Sequence, residues 1–220
     1  MIRLCLKGRL LVAVDRMVYY SVAMKTMRTD TREHVLETGE RLCTQRGFTG
    51  VGLIELLKEA GVPKGSFYYY FPSKEAFGVA MLERYFARYV KQFQAWFDAA
   101  PDQPRQRLLD YYQQSLSTWC QEPTFAGCLS VKISAEVCDL SESMRTSLQQ
   151  GSTALIAVIS RVLEQAEARQ QLTLFTSAQS TAERIYTLWL GASLHSKICR
   201  SSAPLINARE EMARMLPLPV

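Results

Sequence analysis

The sequence predicts an all-α protein. From Thr31 onward, apolar residues recur at three- and four-residue spacing; alternation of period two never lasts, and hairpin-type turn dipeptides are missing. The composition agrees with a chain that folds. With 220 residues, 48% hydrophobic and 21% charged, it can bury a sizeable core, which excludes wholesale disorder. No stretch reaches the roughly 18–20 apolar residues that a membrane span needs. Eleven glycines and eight prolines are too few for a collagenous or low-complexity chain.

Residues 1–28 read as a disordered leader. They carry six basic residues against one acid, Asp15, and a five-residue apolar run, Leu10 to Val14, that Asp15 and Arg16 cut short. That run is below the length of a secretory core and no A-x-A site follows, so an upstream start ahead of Met24 or Met27 is the expectation. The leader also accounts for the net charge of +5, leaving 20 basic and 20 acidic residues in the other 192. A case for nucleic acid must therefore rest on a local patch.

The first helix carries Val35, Leu36, Gly39, Leu42 and Cys43 on one face and closes at Gly47. A second, from about Gly52 to Ala60, turns Leu53, Leu56 and Leu57 inward and ends at Gly61. A third opens at Pro63, suited to a first helical position, and stops by Pro72. Ser73 caps a long helix to about Phe97, along which Phe77, Met81, Tyr85, Tyr89 and Phe93 recur every four residues. Further helices are predicted near 104–121, 128–138, 141–169, 178–200 and 204–216. The division is a leader at 1–28, a three-helix unit at 29–78 and a larger helical unit at 79–220.

The second and third helices are joined by Ala60-Gly61-Val62, the tight glycine-bearing connection of a helix-turn-helix. On the third, Phe67, Tyr68 and Phe71 are expected to pack inward, leaving Lys64, Gly65, Ser66, Tyr69 and Tyr70 on the other face. That set suits a DNA groove: Gly65 permits close backbone approach, Ser66 bonds base edges or phosphate, and Lys64 reaches guanine acceptors. Tyr69, Tyr70 and Lys74 are placed for phosphates, Lys74 at a helix N-terminus. Taken singly, each lysine reads as solvated surface; the ordered motif reverses that default.

The run from Gly47 to Leu53 and from Ala60 to Ala76, including Pro63-Lys64-Gly65-Ser66-Phe67-Tyr68-Tyr69-Tyr70-Phe71-Pro72, resembles the DNA-binding half of TetR-family transcriptional repressors. Two departures are visible. Gly52 stands where the family usually caps with Ser or Thr, and Tyr70 where histidine is common. Glycine is a tolerable cap and tyrosine still donates to phosphate, so neither affects the resemblance. It implies a helical ligand-sensing and dimerisation domain beyond about residue 79, a two-fold dimer on a palindromic operator, and a dimer interface from the last two helices. Residues expected there are Ile185, Leu188, Trp189, Ala192 and Ile198, with Leu205, Ala208, Met212 and Met215.

Gly127 to Ser141 and Leu188 to Ala192 further resemble the N-ethylmaleimide-reductase repressor branch of that family, which implies a cysteine that senses electrophiles and oxidants. The thiols can also be read directly. Cys128 starts a predicted helix, whose N-terminal amides favour a thiolate, with Lys132 one turn on. Cys138 ends that helix beside Asp139, the unfavourable position. Cys43 lies on an apolar stripe and reads as structural. Cys120 and Cys199 show no clear chemical neighbour except Lys197, which resemblance makes a second positive partner; Cys5 is in the leader. Tyr111, Tyr112, Trp119, Phe125, Tyr186 and Trp189 read as core or as pocket wall.

The expectation is a cytoplasmic homodimeric repressor whose operator binding weakens when a reactive small molecule modifies Cys128, with Lys132, Lys197 and Cys138 in support. Six cysteines without a CxxC, and only His34 and His195, give no metal-ligand spacing and no catalytic base. No metal, cofactor or enzymatic reaction is expected. The alternative kept open is a TetR-type repressor induced by reversible binding of an apolar molecule.

Overall fold

A computed structural model of the chain describes residues 31–121 and 128–219. The leader with Cys5, and the segment with Phe125 and Gly127, lie outside the described residues. Regular structure among the described residues is helical throughout: α1 (31–46), α2 (Leu53–Ala60), α3 (Lys64–Tyr70), α4 (Lys74–Asp98), α5 (Pro104–Gln121), α6 (Leu129–Cys138), α7 (Glu142–Ala168), α8 (Ala178–Cys199) and α9 (Ala203–Met215). From α5 onward the predicted ends fall within one residue of these.

The turn chemistry explains the first four elements. Gly47 takes the left-handed conformation (φ 82°) that ends α1, its N–H donating to the Cys43 carbonyl at 2.8 Å. Gly61 does the same for α2 (φ 62°). Pro63 turns out to be the N-cap of α3 and not its first helical residue. It is extended (φ −62°, ψ 149°), and its carbonyl accepts from the N–H groups of Ser66 and Phe67. Ser73 caps α4, its hydroxyl accepting from Ala76 N–H at 3.0 Å.

Helix α4 begins in the helix-turn-helix unit and ends in the larger one. A row spaced by four drifts about 40° per step on a helix of 3.6 residues per turn. The buried face therefore does not follow that row: Tyr85 and Tyr89 are only half-buried, and Phe86 and Phe97 join Phe77, Met81 and Phe93 inside. Its main partner is α7, which packs in turn on α8, and α8 on α9. At the α4–α7 crossing the Phe86 ring lies directly on Gly151, where a Cβ would meet ring carbons at 2.1 to 2.5 Å. On the other side Arg84 holds α1, bonding Glu33 at 2.6 Å and Glu40 at 2.9 Å, with Arg88 also on Glu40.

Gly151→Ala is expected to lower stability by about 1–3 kcal/mol, the range for overpacking a close-packed contact. Urea unfolding followed by circular dichroism measures it; an unchanged midpoint would mean that the crossing is loose.

Candidate DNA-binding surface and thiol cavity

In α3, Lys64, Gly65 and Tyr69 are exposed and Ser66 half-exposed, with no atom within 4 Å of where a Gly65 Cβ would sit. This face is thus open along its N-terminal turn. Two tyrosines differ from expectation. Tyr68 is 46% exposed and not packed inward, whereas Tyr70 is half-buried against the core. Helix geometry gives the reason: Tyr70 lies three residues from Phe67 and next to Phe71 on the buried side, while Tyr68 is about 100° away. The Lys64 ammonium rests 5.9 Å from the Tyr68 ring. Lys74 is turned inward, its Nζ donating to the Phe48 carbonyl at 2.9 Å and lying 4.7 Å from the Phe48 ring. It ties the start of α4 to the turn after α1 and keeps two further N–H donors.

In the larger unit, Cys128 is the N-cap of α6, exposed, with φ −50° and ψ 131°. Its Sγ lies 2.8 Å from the Tyr85 hydroxyl and 2.9 Å from the Ser130 hydroxyl. It forms part of the wall of two cavities, of about 260 and 60 Å3, that share Tyr89, Val131, Trp189 and Ser193. Lys197 reaches the larger one from α8. Its amine is held below the usual lysine range, by desolvation first and then by Lys132, against an opposing pull from Cys128. The phenols around the thiol stay neutral: burial raises Tyr85 and Tyr89 well above the ordinary value and pushes Tyr186 up to about 12.

Comparison with known proteins gives both halves a counterpart. Residues 35–81 match the bacterial regulatory proteins of the tetR family, and 104–212 match the tetracyclin repressor-like C-terminal domain. The chain is 52% identical over 190 residues to the HTH-type transcriptional repressor NemR of Escherichia coli K12, covering 86% of this chain and 96% of that protein. The chain belongs to the TetR family of transcriptional regulators. The crystal structure of E. coli NemR in its reduced form superposes with a TM-score of 0.83 at 50% identity, over 87% of this chain and 99% of that one. The repressor DhaR of Mycobacterium sp. GP1 is 29% identical over 81% of this chain and 88% of its own. This is therefore a NemR-like member of a family of DNA-binding repressors, not of enzymes.

The structure brings together only some of the residues singled out in the sequence. Cys128 and Lys197 share a cavity. Lys132 is exposed beside it and acts on Lys197 through its charge. Cys138 is exposed at the far end of α6, about 15 Å along the axis at 1.5 Å per residue. Trp119 and Trp189 line the larger cavity, and Tyr112 and Tyr186 the smaller. Tyr85 and Ser130, which touch the thiol, were not singled out; Tyr85 stood in the row of residues that recur every four along the long helix. Glu136 was also missed. Its carboxylate accepts from Phe48 N–H at 3.0 Å and Thr49 N–H at 2.5 Å. The only sequence signal was its i,i+4 spacing from Lys132, which reads as an ordinary surface pair.

Cys43 is 1% exposed, and burial pushes its thiol up to about 12 despite Lys74 nearby. It is expected to resist alkylation in the native protein and to react only on unfolding, whereas Cys128 labels first. Peptide mass spectrometry after sub-stoichiometric alkylation checks both; native labelling of Cys43 ahead of Cys128 would contradict them.

Proposed function

We propose that this chain is a homodimeric repressor that leaves its operator when a small electrophile or oxidant modifies Cys128. The observation that carries this reading is the placing of an exposed N-cap thiol in a cavity wall, between two hydroxyls and across from a lysine on another helix. The cavity volume of about 260 Å3 falls short of the ~300–1,000 Å3 typical of reversible drug-sized ligands, which favours a small reactive molecule. The description of the E. coli relative's crystal form as reduced supports thiol chemistry too.

With an unsaturated carbonyl compound, the thiolate attacks the β-carbon and a C–S bond forms. The alkene electron pair moves to the carbonyl oxygen, and water returns a proton to the α-carbon. With a peroxide, sulfur takes one oxygen as the O–O bond breaks and hydroxide leaves. The sulfenic acid then condenses with an amine, forming S–N and expelling water. Lys197, desolvated on the same cavity, is the amine placed for this. Either product adds bulk or a crosslink to a close-packed domain, which answers by shifting helices.

For DNA, Lys64, Gly65 and Ser66 read bases, and Tyr69, Tyr70 and Lys74 hold phosphates, Lys74 also keeping its bond to Phe48. For assembly, the outward faces of α8 and α9 present Leu194, Ile198 and Ile206, at 50, 71 and 41% exposure. Of the residues expected at the interface, Ile185, Ala192, Leu205, Ala208 and Met212 are buried within the chain itself. The interface rests on their outward neighbours.

In gel shifts with the upstream DNA of the protein's own gene, Lys64→Ala is expected to weaken binding by about 1–3 kcal/mol. Lys74→Ala is expected to weaken binding to every sequence and to flatten the salt dependence by about one unit. Unchanged affinity in both would remove α3 from its role. Cys128→Ser is expected to bind DNA normally and to stay bound when N-ethylmaleimide is added; normal release would instead favour a reversible ligand. Light scattering at micromolar concentration is expected to show a dimer.

A further inference from the structure

One contact joins the sensing helix to the DNA-reading unit by a route other than α4. The α1–α2 turn at residues 47–52 sets where α2 and α3 leave α1. Its Phe48 and Thr49 N–H groups both point at one acceptor, the Glu136 carboxylate, 88 and 87 residues away in sequence. The turn is fitted to that carboxylate. Gly47 is left-handed at φ 82°, and a Cβ there would come within 2.7 Å of Glu136 Oε2. From the other side Lys74 fixes the Phe48 carbonyl at 2.9 Å. The turn is thus held between an anion on α6 and a cation on α4, with both polar groups of Phe48 engaged.

Resting on the reading of Cys128 above, we propose that Glu136 is the positioning residue that couples the thiol to the operator: its carboxylate holds the α1–α2 turn in the DNA-reading position, and modification of Cys128 acts by loosening that hold.

The two residues sit near opposite ends of α6, eight residues or about 12 Å apart along a rigid helix. Cys128 fixes the N-terminal end through Tyr85 of α4, and a group attached to Sγ takes the place of that contact. Helix α6 packs mainly on α7 and α8, so it is displaced against them as a body. Hydrogen bonds of 2.5 and 3.0 Å are lost with a shift of about 1 Å, since the interaction fades beyond ~3.5 Å. Partial burial works to raise the Glu136 carboxyl, but the bonds from Thr49 and Phe48 and the Lys74 charge outweigh it and keep it ionised. A second cross-link, the Ser141 hydroxyl donating to Glu75 at 2.5 Å, joins α7's cap to α4 and leaves the turn itself untouched.

The test uses the full-length protein, comparing wild type with Glu136→Ala and, as a packing control, Gly151→Ala. Amide hydrogen exchange reads the two bonds directly. In wild type, Phe48 and Thr49 are expected to exchange slowly, and at least 10-fold faster once Cys128 carries N-ethylmaleimide. In Glu136→Ala both are fast from the start, and alkylation changes them little. Operator affinity is expected to fall about 10-fold in unmodified Glu136→Ala, and the ratio between unmodified and alkylated protein to drop toward one. Gly151→Ala keeps the wild-type ratio whatever its stability. Slow exchange in alkylated wild type, or an unchanged ratio in Glu136→Ala, overturns the coupling while leaving Cys128 as the sensor. If alkylated wild type stays on its operator, the Cys128 reading has failed, and operator affinity of unmodified Glu136→Ala alone then decides whether Glu136 positions the turn.

Discussion

Everything in this fold depends on α4 belonging to two units at once. Its first turn packs under α3 through Phe77, which meets the rings of Phe67 and Phe71 at centroid distances of 5.6 and 5.2 Å. Its middle lies on Gly151 of α7, and its end packs Phe93 against Tyr111 of α5. One apolar core therefore runs from Val35 to Leu216 without a break at the unit boundary. A core that is continuous and close-packed has little freedom to absorb a local change in volume.

Much of the helical layout was legible in the sequence because its signals are local. Ser73, Gly47 and Gly61 mark helix ends by chemistry that needs no tertiary partner, and the apolar spacing of α7 and α8 is long enough to be unambiguous. The helix-turn-helix was legible for the same reason, as one ordered stretch. The orientation of Tyr68 and Tyr70 was not, because in a seven-residue helix of four aromatics hydrophobicity does not say which ring faces in. The surroundings of Cys128 were also hidden. Tyr85 is 43 residues away, and only the folded chain brings its hydroxyl to the sulfur. Glu136 is the extreme case: its partners are backbone amides, which carry no residue identity for a sequence to show.

The thiol cavity is unusual in its walls. Tyr85, Tyr89 and Tyr186 place phenols in or beside a space whose walls mix apolar side chains with Ser115, Thr118 and Ser193, and burial keeps the phenols protonated. A protonated phenol donates a hydrogen bond and adds no negative charge, so the ring of tyrosines gives a sulfur anion or an incoming carbonyl oxygen a partner without repelling either. Among the described residues, Lys197 adds the only amine on the larger wall, at reduced basicity.

The sealing of Cys43 has a consequence for recovery. It sits in the half that reads DNA, at 1% exposure, so the reagents that reach the cavity wall cannot consume it. With Cys128 in the proposed role, modification falls on the larger unit while the Cys43 thiol stays covered. On the proposed reading, a thiol reductant that clears an oxidised Cys128 returns the same molecules to DNA without fresh protein synthesis. A stable carbon–sulfur adduct, by contrast, would fade only as the cell grows and dilutes it.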